Sequence, residues 1–477
     1  MRSTLLFLLP LAAAPLVACQ GQDIYCDAAC QSAFETALAT ESGKWVSQNV
    51  TLDPFYTLPS NISGEPGTLL RWEDIPSEQL SSNWTVPGGL SLSRFLYLTE
   101  DVDGTPIPAS AYALLPYSKV LTAEDTSGSL PPNGTSTSNT TAEPFNTVLF
   151  THGTAGRIPN CAPSNHRALY YEWQGPFALA QLGYAVIAPD YAGLGTSIPQ
   201  GFMYEAGYAH AADVAFALVA ARSSRISPLL SPSWVVAGHS EGGMTAWRVN
   251  ERLALPNQTA LLSSAGPFLG SVACAPALRP LDLIPESFGR AAGGPVGDVV
   301  SVYLLQSIAR IFPAEVRLAD YLTPRALALL EKIDAACLIV GDAVFGNLTQ
   351  DEMYKDVSWL EHPRVLEWQR RWNGARPYEL AAPMLVVQGE ADPLTYANNT
   401  EWDFDRTCEA FPRSRATYQS YPGLNHDVSF QAGQPNYFQW IRERFEGVEV
   451  EEGCKKETVR PVTDRYGSNQ IFWSGNS

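Results

Sequence analysis

The chain has 477 residues, 45% of them hydrophobic, 11% aromatic and only 17% charged. That is enough apolar material for a sizeable core and too little charge for a disordered chain. A formal net charge of −18 disfavours nucleic acid and anionic membrane surfaces, which would repel it, so the expected partner is a neutral small molecule.

In chain order, MRSTLLFLLPLAAAPLVACQGQ opens with one Arg and an apolar run from Leu5 to Ala18. The run is too short to span a bilayer and ends in small residues, so residues 1–19 read as a signal peptide, with no stable membrane insertion. Leu16-Val17-Ala18-Cys19 also fits a lipid-attachment site. Eight Asn-x-Ser/Thr sequons, at Asn49, Asn61, Asn83, Asn133, Asn139, Asn257, Asn347 and Asn398, among only 18 Asn favour secretion to the extracellular space. The eight Cys, at 19, 26, 30, 161, 274, 337, 408 and 454, fit an oxidising compartment. Once Cys19 leaves, seven remain, so at least one is unpaired. Cys26 and Cys30 lack companion ligands, so no metal site is expected.

Residues 20–90 read as an N-terminal arm, with no strong period over 22–66 and Pro at 54, 59 and 66. Residues 91–266 form the first part of an α/β core. SRFLYLTEDVDGTPIPASAYALLP reads as a hairpin turning at Asp103-Gly104. Residues 122–144, rich in Ser, Thr, Pro and Gly, read as an exposed glycosylated loop. Apolar runs at 147–153, 184–195 and 234–240 then alternate with helical stretches at 171–183, 206–224 and 241–255, the pattern of a parallel sheet covered on both faces. From 267 to 378 the runs are helical without intervening strands and read as an inserted lid. Residues 379–448 return to the core with strands near 383–388 and 416–421 and a helix near 436–446, and 449–477 are a tail. The expected fold is α/β: a mostly parallel sheet with helices on both faces and a helical lid over the strands' carboxyl ends, where ligands bind.

Within this frame Gly238-His239-Ser240-Glu241-Gly242 joins a strand end to a helix start. A serine held on such a strained turn projects its Oγ clear of the sheet. It needs a base, and of the six His only His362 and His426 follow Ser240. His362 lies in the insert; His426 lies beyond the last core strand, where the base belongs. The orienting acid is Asp392, in Gly-Glu-Ala-Asp-Pro after PMLVVQG, with Glu390 as competitor and Asp427 assigned to the loop. Oxyanion donors are the backbone N–H groups of Glu241 and Thr154, with Gly153 and Ala155 as alternates. His152 reads as a packed loop residue, and Asp190–Gly195 as a turn lining the pocket. No cofactor is required, and a monomer is expected.

The stretches DPFYTLP, PGTLLR, FLYLTEDVDGTPIPASAYALLP, THGTAG, APDYAGLG, GHSEGG, PMLVVQGEADPL and YPGLNHD together resemble the α/β-hydrolase superfamily, and within it the secretory lipases of fungi and actinobacteria. That resemblance implies hydrolysis of carboxylic esters, lipid or smaller, through an acyl-enzyme on Ser240, Asp392 and His426. It also implies disulfides Cys161–Cys337 and Cys408–Cys454. Alternative readings on the same scaffold are a secreted serine peptidase or amidase and a metabolite deacetylase. The side chain of Glu241 has no assigned role.

Overall fold

The computed structural model describes residues 24–60, 62–118, 143–171, 174–256 and 263–468. The signal peptide, the 122–144 loop except its last two residues, and sequons Asn61, Asn133, Asn139 and Asn257 lie outside the described residues.

The hairpin expected around Asp103-Gly104 forms from β2 (Leu90–Glu100) and β3 (Pro106–Pro116), paired antiparallel from Leu90↔Pro116 to Glu100↔Pro106. Gly104 takes the positive φ of 81° that the turn requires, and the Asp101 carboxylate accepts the N–H groups of Asp103 and Thr105. With β1 (Leu69–Asp74) on its outer side, this hairpin is the antiparallel flank of a ten-stranded sheet. The rest is parallel: β4 (Phe145–Thr151), β5 (Ala185–Pro189), β6 (Leu230–His239), β7 (Phe268–Cys274), β8 (Met384–Gly389), β9 (Arg415–Tyr421) and β10 (Gly453–Thr458). The strand order is β1-β2-β3-β5-β4-β6-β7-β8-β9-β10. β5 is buried at every position and β6 is buried throughout Trp234–His239, as continuous apolar strands covered on both faces must be.

Two helices fix the central strands. Gly207–Arg222 is mostly alanine on its buried positions, which lets it lie close to the sheet, and Glu241–Ala254 is buried from Glu241 through Leu253. The inserted helices Pro280–Ala291 and Val300–Ile311 line the cavity beside Ser240, and Pro324–Lys332 and Leu338–Phe345 bond to the loop after β4 through Arg157 and the Ala155 carbonyl.

Three expectations are corrected. Residues 268–274, read as the start of the helical insert, form β7 between β6 and β8; the small residues of FLGSVAC hide a strand that fits where the neighbouring helices approach closely. The supposed arm contains a 16-residue helix, Ala28–Gly43, capped by the Asp27 side chain, together with β1. The supposed tail contributes β10, which pairs parallel to β9 and is tied back by Cys408–Cys454. Both disulfides implied by the resemblance form; Cys26–Cys30 is a third, and Cys274 is a buried free thiol. Among the described residues no helix is long and apolar enough to cross a membrane.

Candidate active site

Four connections at the carboxyl edge of the parallel strands converge: those after β4, β6, β8 and β9. The one after β6 carries Ser240, at φ 62° and ψ −124°, immediately before the helix Glu241–Ala254. For a residue with a side chain this backbone costs about 1–3 kcal/mol and persists only where the surroundings fix it. Its N–H donates to the Cys274 carbonyl at 2.9 Å. The glycines are required by close approach: a Cβ on Gly238 would overlap Thr151 Oγ1, one on Gly242 the Thr151 carbonyl, and one on Gly243 the Cys274 carbonyl. Thr151 Oγ1 donates to the Gly242 carbonyl at 2.8 Å, locking β4 to the turn. From Trp234 to Leu253 every residue is buried except Ser240, which is half-exposed.

His426 begins the short helix Asn425 caps after β9, and its Nδ1 lies 2.8 Å from Asp392 Oδ2. Asp392 is itself held by the N–H groups of Leu394 and Thr395, the Thr395 hydroxyl and the Gln388 amide. Glu390 is exposed, while His362 caps a helix of the insert through Nδ1. Burial alone would push the His426 imidazole down. The charge and hydrogen bond of Asp392, with Asp427, outweigh it and hold the ring above its ordinary value.

The loop after β4 lies against Ser240. A Cβ on Gly153 would stand 3.1 Å from Ser240 Cβ. The Gly153 N–H is taken by Tyr171 Oη at 2.7 Å, which removes it as an oxyanion donor. Thr154, the next residue, is half-buried, its hydroxyl 2.8 Å from Tyr204 Oη and its carbonyl bonded to Tyr170 Oη. Ala155 is buried and its carbonyl binds Leu338 N–H.

His152 is packed, as expected: it stacks on Tyr191 with 4.3 Å between centroids, and burial pushes its pKa down to about 4. The turn Asp190–Gly195 was expected on the pocket wall but is absent from it. Asp190 is instead a buried knot accepting the hydroxyls of Ser110 and Ser164 and the Ser164 N–H. Ser164 is fully buried with no imidazole on it, so this second serine–carboxylate pair is closed to substrate. His239, part of the nucleophile motif but without an expected role, places its Nε2 3.1 Å from the His426 carbonyl while its ring stacks on Phe430, propping the His426 backbone. His239, His426 and Asp427 bring ligand-type atoms within 4.8 Å of one another, the one such group among the described residues. Both His239 nitrogens and His426 Nδ1 are engaged elsewhere, by Tyr171, the His426 carbonyl and Asp392 respectively.

Ser240 opens into a cavity of about 580 Å³, mouth included, walled by apolar side chains that include Leu283, Ile284, Phe288 and Val300 of the insert and Leu394 beyond β8.

The α/β-hydrolase family model matches residues 148–435. The fold is similar to that of Candida antarctica lipase A in its closed state, at 14% identity over 85% of this chain and 89% of that one, with TM-score 0.63. It is also similar to the rice cell wall degrading esterase LipA of Xanthomonas oryzae (16% identity, 80% and 99% coverage, TM-score 0.58). A putative hydrolase of Legionella pneumophila is comparable, at 18% identity, 80% and 100% coverage and TM-score 0.57. A search of curated protein sequences finds no match. With a strand–serine–helix turn inside a family match spanning more than half the chain, the protein belongs to the α/β-hydrolase family.

Proposed function

We propose that this protein is a serine carboxylic-ester hydrolase working through an acyl-enzyme. Ser240 is the nucleophile, His426 the general base and Asp392 the group that holds the imidazole. The His426 Nδ1–Asp392 Oδ2 contact of 2.8 Å carries the reading. It directs Nε2 to be the nitrogen that takes the Ser240 proton, and it stabilises the imidazolium that results. The proton then passes to the departing alcohol, and water repeats the cycle on the acyl-enzyme. The backbone N–H groups of Glu241 and Thr154 are the oxyanion donors; the Gly153 N–H is already bonded to Tyr171. Apolar walls around Ser240 favour an acyl ester over a charged substrate. The lipase and esterase among the structurally similar proteins support the same reaction class.

Secretion and glycosylation belong to this reading. They are supported by three disulfides and by the exposure of all four described sequon asparagines, Asn49, Asn83, Asn347 and Asn398.

The test is Ser240→Ala, measured against p-nitrophenyl esters and a fluorophosphonate probe. The expected result is a folded protein that neither turns over ester nor takes the label. Full activity in that variant refutes the proposal.

A further inference from the structure

The residue after the nucleophile has two chemically separate parts. Its backbone N–H is the oxyanion donor assigned above, while its carboxyl is fully buried. There Oε1 accepts the N–H of Glu205 at 2.9 Å. Glu205 has a left-handed backbone, φ 55°, in the turn before the helix Gly207–Arg222. Such a conformation is strained for any residue with a side chain and needs outside contacts to persist. Those contacts are few and specific. The Glu205 carbonyl accepts Asn373 Nδ2 at 3.0 Å, the neighbouring Tyr204 N–H donates to Ser307 Oγ, and Glu241 supplies the acceptor for the Glu205 N–H.

The turn matters because of what it carries. Tyr204 and Glu205 stand with Ser240 on the wall of the cavity, and Tyr204 Oη is 2.8 Å from the Thr154 hydroxyl. We propose that the Glu241 side chain is a positioning residue, clamping the strained Tyr204–Glu205 turn to the nucleophile turn and so fixing the cavity wall nearest Ser240. The proposal rests on the ester-hydrolase reading. It gives one residue two tasks: its backbone serves the oxyanion and its side chain shapes the space for the acyl group.

The surroundings suit an uncharged acceptor. Facing the two carboxyls are the phenols of Tyr171, Tyr191 and Tyr204 and the imidazole of His210, 3.8 Å from Glu241 Oε1. Burial keeps His210 neutral, and burial with the nearby Glu205 pushes the Glu241 carboxyl well above its usual range. A carboxylic acid presents a carbonyl-type oxygen to the Glu205 N–H. An amide presents the same oxygen, whereas a thioether of similar length does not.

The test compares Glu241→Gln with Glu241→Met by two independent readouts. The first is hydrogen exchange of the peptide spanning residues 202–210, which needs no ester turnover. Exchange at Glu205 should rise in the Met variant and stay near wild type in the Gln variant. The second is the KM for p-nitrophenyl octanoate relative to that for p-nitrophenyl acetate. This ratio should rise about tenfold in the Met variant, the scale of a lost buried acceptor, and remain near wild type in Gln. Adding Glu205→Gly, which tolerates positive φ, to Glu241→Met should bring the KM ratio back toward wild type. If Glu241→Met alone does not fold, the double variant should, and its failure to fold overturns the clamp. Equal changes in the Gln and Met variants, or unchanged exchange in Met, also overturn it. Failure of the ester-hydrolase reading shows separately, as wild-type protein that hydrolyses neither ester while the exchange result stands.

Discussion

Asp392 Oδ2 lies 2.8 Å from His426 Nδ1, and the same Oδ2 accepts the Thr395 hydroxyl and the Gln388 amide. The carboxylate is thus held from three sides and cannot follow the ring if the ring moves. Asp392→Asn should keep the fold while lowering kcat/KM by roughly three to four orders of magnitude, because an amide no longer stabilises the correct tautomer or the imidazolium. Steady-state kinetics on a short p-nitrophenyl ester check this; a loss under tenfold would reassign the acid.

The pH profile should carry the same signature. In the proposed mechanism His426 is a base only when neutral, and its pKa lies above the ordinary value because Asp392 outweighs burial. The acid limb of kcat/KM should therefore fall above pH 6.5, the ordinary imidazole value. In Asp392→Asn burial is left with less opposition, so the limb should move to lower pH. A limb that does not move would show that Asp392 does not set the titration.

Thermal stability should be lost toward alkaline pH. Burial raises Glu205 and Asp342 to about 8, and Glu41 and Asp213 to about 7. Each binds a proton in the folded state that the unfolded chain has released, so its contribution is full below the ordinary carboxyl value and is lost as pH rises through 7 to 8. Burial lowers His152 to about 4 and His166 and His210 to about 3. These are neutral when folded but protonated when unfolded below about pH 6.5, so their contribution is lost as pH falls. Below about pH 6.5 the two trends oppose each other, and above it only the loss from the carboxyls remains. Calorimetry across pH 4–9 should show Tm falling as pH rises above about 6.5; a rising Tm up to pH 9 would contradict the burial argument.

Gly242→Ala should fail to give soluble, folded protein. Its Cβ would overlap the Thr151 carbonyl, and backbone on a central strand has nowhere to move. A cost above about 4 kcal/mol is expected, of the order of the whole stability margin of a domain. Soluble yield and circular dichroism decide it.

The bond Cys161–Cys337 ties the loop after β4 to the inserted helices across 176 residues of chain. Replacing both cysteines by Ala should cost about 2–5 kcal/mol, read as a lower Tm. Hydrogen exchange over residues 154–166 should rise with it. Unchanged exchange there would mean that Arg157, which donates to the Leu330 and Ile333 carbonyls, holds the loop alone.

The sequence by itself determined the class of fold and brought forward Ser240, Asp392 and His426 as the candidate site. Short apolar runs alternating with helical stretches mark doubly covered strands, glycines around Ser240 mark a backbone approach too close for side chains, and of the two histidines after the serine only His426 lies outside the insert. β7 and the helix Ala28–Gly43 were not legible, because small residues carry almost no periodic signal and a helix stapled by a disulfide needs little amphipathicity. Only the tertiary structure decided which N–H of the loop after β4 is spent, since Tyr171 reaches Gly153 across 18 residues. It alone brought His239 under the His426 carbonyl and the Glu241 carboxyl onto Glu205, 36 residues upstream. Local sequence fixes backbone conformation over a few residues. Contacts between distant side chains depend on how strands and helices pack, and that packing is written in no single stretch of the chain.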